Sequence, residues 1–97
     1  MSTKIRVSPE ELRSSSRVFK SNASSTTDML KRLSSEVNKM KSIWEGQANK
    51  EFINQYEQLQ PSMKQFVSVL EGISKQLSDV ATTMEDVDRK IASQLRR

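Results

Sequence analysis

The stretch Ser42-Ile43-Trp44-Glu45-Gly46-Gln47 divides the 97-residue chain nearly in half, and it is the one place where a sustained helical pattern lapses. Gly46 is one of only two glycines, and a glycine between two patterned halves is the natural residue to take a left-handed backbone, end one helix and reverse the chain. Reading back from Trp44, steps of four and three meet Met40, Val37, Leu33, Leu30, Thr26, Ala23, Phe19, Ser16 and Leu12. Eight of these ten positions are apolar, with Ser16 and Thr26 the weak ones, which makes a heptad seam. The seam opens on a helix-start signal. Ser8 is placed as N-cap, Pro9 as the first helical residue and Glu11 as the acid of a capping box, with Val7 and Leu12 spaced for a hydrophobic staple. One helix is predicted over about 9–43.

Reading forward from the same stretch, the pattern resumes at Phe52 and runs through Tyr56, Leu59, Met63, Phe66, Leu70, Ile73, Leu77, Val80, Met84, Val87 and Ile91 without a polar lapse. A second, longer helix is predicted over about 47–94, with 44–46 as the turn. Pro61 lies inside it and costs a backbone hydrogen bond, but the seam keeps step from Leu59 to Met63. With Leu59 at heptad position d, Pro61 falls at f, facing solvent, so one bent helix is expected rather than two. Gly72 falls at c and is likewise exposed. The whole chain, 1–97, thus reads as a single all-α domain, a helix-turn-helix hairpin.

Such a hairpin is marginal alone, because each helix meets one neighbour and the first carries many serines and threonines. The apolar stripe is also wider than a two-stranded seam, with Met29, Ile43, Ile53, Val67 and Val69 at flanking e or g positions. Two hairpins dimerising into an antiparallel four-helix bundle would cover it. Leu30, Leu33, Val37, Met40, Phe52, Tyr56, Leu59, Met63, Phe66 and Leu70 form the expected core and dimer seam.

Composition narrows the function. There is no Cys and no His, which removes thiol nucleophiles, disulfides, zinc-finger ligand sets and imidazole catalysis. No Gly-rich phosphate cradle or metal-ligand spacing occurs, so neither an enzyme, a metal site nor a cofactor is expected. The net charge of +4 comes from residues 1–46, with nine Lys/Arg against five Asp/Glu, while 47–97 balance at seven each. Basic residues never run beyond pairs and are not interleaved with aromatics, which argues against nucleic acid as a partner. No apolar stretch approaches the ~20 residues of a membrane span, and the N-terminus lacks the apolar segment of a secretory signal.

These features together resemble a known family. A chain of this length with two heptad-patterned helices around Trp44-Glu45-Gly46 is similar to the WXG proteins, the early secreted antigenic target-like substrates of type VII (ESX) secretion. Ile5-Arg6-Val7-Ser8-Pro9-Glu10-Glu11-Leu12-Arg13 and Gln55-Tyr56-Glu57-Gln58-Leu59-Gln60-Pro61 look like its Gram-positive homodimeric branch. The resemblance implies a small secreted protein without a cleavable signal peptide, cytoplasmic before export. It implies export as a folded dimer by the type VII membrane ATPase, and a role as effector or as companion to other WXG or larger substrates. It assigns Trp44 and Gly46 to a secretion motif at the turn. It also assigns Met84, Asp88, Ile91 and Leu95 to a C-terminal export motif, whose spacing puts all four on one helical face. The Tyr-x-x-x-acid signal of the mycobacterial heterodimeric branch is missing, since the only tyrosine is Tyr56. Read without the resemblance, Trp44 caps the core, Asp88 is an exposed charge pairing with a basic neighbour, and the chain is an intracellular coiled-coil adaptor or secretion chaperone.

Overall fold

The structure, a computed structural model, describes residues 7–44 and 46–95. The opening residues 1–6, Glu45 of the turn and the Arg96-Arg97 tail lie outside the described residues. Helix α1 (Pro9–Ile43, 35 residues) and helix α2 (Gln47–Leu95, 49 residues) form an antiparallel hairpin with extents of 78 × 30 × 15 Å. The Ser8 hydroxyl accepts from the Glu11 amide at 3.1 Å, and the Leu12 amide donates to the Ser8 carbonyl at 3.1 Å, so the first orphan donors of α1 are satisfied locally. Helix α2 runs through Pro61 without interruption, with the proline exposed. No described helix is long and apolar enough to cross a membrane.

The hairpin does not pack simply on the a and d rows of the heptad: α2 turns its a and e rows inward, while α1 buries its a row and keeps Leu12, Phe19, Thr26 and Met40 of its d row half-buried. In α1 the a residues Ser16, Ala23 and Val37 are buried and Leu30 is half-buried. In α2 the e row supplies Gln60, Val67, Ser74 and Ala81, a seven-residue repeat that is half-buried at its first two members and buried at its last two. Tyr56, Met63, Leu70, Leu77 and Met84, in the a row, are half-buried beside it. Small residues decide this choice, because Ala23 and the fully buried Ala81 (0% exposed) allow the helix backbones to approach closely.

Ser16 was read from the sequence as a weak point of the seam, and its environment corrects that reading. Its hydroxyl donates to the Ser74 carbonyl at 2.7 Å, the Ser74 hydroxyl donates to the Ser16 carbonyl at 2.8 Å, and the two oxygens lie 3.1 Å apart. Each buried hydroxyl is therefore satisfied by the facing helix, at a separation that larger side chains would prevent. A second polar tie follows nearer the turn, where the Gln60 amide donates to the Ser34 hydroxyl at 2.9 Å and the Tyr56 hydroxyl sits 3.0 Å from the same oxygen.

Since α2 turns its a and e rows inward, most of its d row is left on one flank, where it is joined by Leu33 of α1. Leu33 of α1 and Phe52, Leu59, Phe66, Val80 and Val87 of α2 are exposed, and Met29 and Val69 at g widen the same flank. The seam expected from the sequence thus sorts into two sets. Leu30, Val37, Met40, Tyr56, Met63 and Leu70 serve the hairpin, while Leu33, Phe52, Leu59 and Phe66 look outward. The opposite b/e flank is polar and carries the cross-helix ion pairs Arg13–Glu85 and Lys41–Glu57.

The packing sets a test that sequence pattern alone would answer the other way. Ser16→Leu completes the heptad but should destabilise the protein by ~1–3 kcal/mol, through overpacking and loss of the serine pair. Urea unfolding followed by circular dichroism measures it, and an unchanged or higher midpoint contradicts the close-approach account.

Candidate functional site

The turn is built by three residues. Helix α1 stops because Trp44 leaves the helical region at φ −118°, ψ 112°, while its amide still donates to the Met40 carbonyl at 2.9 Å. Gly46 follows at φ +133° and its carbonyl accepts from Lys50 at 3.3 Å, so it caps the start of α2. The sequence assigned the end of α1 to a left-handed Gly46. The structure gives that role to an extended Trp44 and keeps the positive φ at Gly46, two residues on, at the entry to α2. A Cβ on Gly46 would meet nothing within 4 Å, so the demand for glycine comes from the backbone alone. The third residue is Asn49, in the first turn of α2, whose side-chain amide donates to the Trp44 carbonyl. The Trp44 side chain is 42% exposed, which sets aside the reading of it as a closed core cap.

At the far end α2 outruns α1, being 49 residues against 35, a difference worth ~20 Å at 1.5 Å per residue. The consequence falls on Met84, Asp88, Ile91 and Leu95. They occupy the a and e rows, the face that α2 turns toward α1 along the hairpin, but α1 begins only at Pro9. Met84 is half-buried, and every residue from Asp86 to Leu95 is exposed. Asp88 makes no ion pair with the described residues, contrary to its plain reading as half of one. The nearby pairs are Arg89–Asp86 on the same helix and Arg13–Glu85 across the hairpin.

Arg13 marks where the overhang begins, donating to the Glu85 carboxylate and, at 3.1 Å, to the Thr82 hydroxyl. That hydrogen bond holds the Glu85 carboxyl below its ordinary range, against a smaller opposing effect of burial, with the charges of Arg13 and Arg89 adding to it. The Arg13 guanidinium is raised by the same contact and stays charged throughout.

Open depressions lie along both flanks of the hairpin. One, about 320 Å³, opens on the apolar flank between Val18, Phe19, Asn22, Thr26, Phe66 and Leu70. Another, about 430 Å³, opens on the polar flank over Leu30 and Val67, with Lys31 and Lys64 at its rim. Among the described residues no group of His, Cys, Asp and Glu could hold a metal ion. Sequence reasoning missed Asn49 and the serine pair. Asn49 carried no signal beyond its place five residues after Trp44, whereas Ser16 did carry one, as a polar residue at an a position.

Comparison with known proteins agrees with this geometry. Residues 4–89 match the family model WXG100, described as proteins of 100 residues with WXG. The chain is 37% identical over 92 residues to Protein YukE of Bacillus subtilis, covering 95% of each chain. It is 30% identical over 89 residues to type VII secretion system extracellular protein A of Staphylococcus aureus, covering 92% of each. The hairpin superposes on EsxA of Geobacillus thermodenitrificans with a TM-score of 0.87 at 38% identity, covering 93% of this chain and all of that one.

The lowered Glu85 carboxyl gives the outer end of the hairpin a signed pH dependence. Its contribution is fully present above the ordinary carboxyl value of 4.5 and is lost as the pH falls through the depressed folded value. Thermal melts of wild type and Glu85→Gln should therefore differ most at neutral pH and converge on acidification. A gap that widens toward acid would contradict the assignment.

Proposed function

The chain belongs to the WXG100 family, and from that membership and the shape of the hairpin we propose that it is a secreted substrate of a type VII secretion system, exported folded as an antiparallel homodimer. The observation that carries the dimer is the exposed d row, in which Leu33, Phe52, Leu59, Phe66, Val80 and Val87 lie on one flank. Burying a side chain of this size stabilises by ~1.5–3 kcal/mol, and a second hairpin laid flank to flank removes the whole row from water. The export reading rests on a relative that is named for the type VII system and for its extracellular place. After export the protein acts as an effector or as companion to other WXG or larger substrates.

The receptor is the membrane ATPase of the system, and the signal it reads is composite. Within one chain Gly46 and Asp88 are separated by ~60 Å of helix, too far for one small receptor surface. An antiparallel partner closes that gap by bringing its own overhang to the turn. Each end of the bundle then presents Trp44 and Gly46 from one chain with Met84, Asp88, Ile91 and Leu95 from the other.

Two measurements test this. Light scattering after size exclusion should give ~22 kDa, twice the 11.1 kDa chain, and a folded monomer at micromolar concentration would contradict the bundle. A mixed dimer with Trp44→Ala in one chain and Asp88→Ala in the other keeps one end intact, so it should be exported while each mutant homodimer is retained. Retention of wild type in the cell would favour the intracellular adaptor, and export that persists without the secretion locus would contradict the type VII route. Trp44→Ala itself should cost less than the ~3–5 kcal/mol of a fully buried aromatic, because the ring is part-exposed.

A further inference from the structure

Asn49 is among the most buried polar residues described, at 6% exposure, and it sits against the half-exposed Trp44. Its amide nitrogen donates to the Trp44 carbonyl, while its side-chain oxygen is buried with no hydrogen-bond partner among the described residues. A buried acceptor left without a partner costs free energy, so the side chain is not there for stability alone. The orientation is also forced, since turning the amide over would set two acceptors against each other. What the contact does is join the C-cap residue of α1 to the first turn of α2 across Gly46. It holds Trp44 in the extended conformation that ends α1, and with it the direction in which the indole leaves the backbone. The other features of the turn do not fix that direction. Gly46 supplies freedom, and the capping bonds of Trp44 and Lys50 act on the helix ends.

We propose that Asn49 is a positioning residue for export: it sets the orientation of Trp44 that the receptor reads, without touching the receptor itself. This rests on the reading of Trp44 as part of the export signal. An isosteric carboxylate cannot replace the amide at neutral pH, because it has no proton to donate to the Trp44 carbonyl. A protonated carboxyl can, through its O–H.

The chain has a single tryptophan, so its fluorescence reports on this turn alone. Full-length wild type, Asn49→Ala and Asn49→Asp are compared by light scattering, by acrylamide quenching of Trp44 and by export. The expected result is dimers of unchanged mass, quenching increased in both variants at neutral pH, and export reduced to the level of Trp44→Ala. On acidification, Asn49→Asp should return to the quenching of wild type at the same pH while Asn49→Ala does not. That arm stands even if the alanine variant folds poorly. Quenching that matches wild type in the Asn49→Asp protein at neutral pH overturns the proposal. So does altered quenching with normal export, provided Trp44→Ala blocks export. Normal export of Trp44→Ala is a different failure, that of the reading of Trp44, and is seen separately.

Discussion

The contact on which the rest of the hairpin depends is the mutual hydrogen bonding of Ser16 and Ser74. Two hydroxyls that each donate to the other's backbone carbonyl require the helices to lie close together and in one rotation about their axes. With the buried Ala23 and Ala81 on the same faces, that rotation turns the a row of α1 and the a and e rows of α2 inward. The d row, which carries the larger side chains Phe52, Leu59 and Phe66, has to turn out. Had the two helices packed on a and d, the apolar stripe would have been used up within one chain. Close polar packing inside therefore creates the apolar surface outside.

The same rotation gives the hairpin two unlike flanks. In an antiparallel pair, the d rows of both helices fall on one side and the b and e edges on the other. The apolar row and the ion pairs Arg13–Glu85 and Lys41–Glu57 are consequently kept apart. The separation has an electrostatic logic. Exposed ion pairs contribute little and lose what they contribute to desolvation if covered, whereas apolar side chains gain by being covered.

Much of the fold was legible because it depends on periodicity and on rare residues. Heptad spacing over both halves, the Ser8-Pro9 start and a lone Gly46 between them point to a hairpin without reference to any structure. The division of the stripe was not legible, because a, d and e positions differ by rotations that pattern alone does not resolve. Ser16 shows the limit most clearly. Its polarity reads as a lapse in an apolar row, and only the facing Ser74, 58 residues away, turns it into a buried tie between the helices. At the turn, Trp44 and Gly46 could be singled out by type and place, but their division of labour could not. Which residue ends α1 and which begins α2 depends on one Asn side chain reaching back across the turn.

Unequal helix length is the remaining constraint, and it concerns dynamics as much as shape. Asp86 to Leu95 extend a helix already nucleated in the hairpin, so they need only propagate it, but these ten exposed residues gain little from packing against the other described residues. The Arg89–Asp86 pair supports the first turn, and beyond it Ile91 and the highly exposed Leu95 (80%) face water. Such a segment frays from its free end and is ordered by whatever covers its a and e face. The turn is the opposite kind of element, with Trp44 held by capping bonds and a side-chain clamp. In the proposed antiparallel bundle, one held element and one yielding element would meet at each end. Binding there would draw on a preset tryptophan for specificity and order the overhang at the moment of contact, so the affinity of that end would depend on the helix propensity of residues that need not touch the receptor.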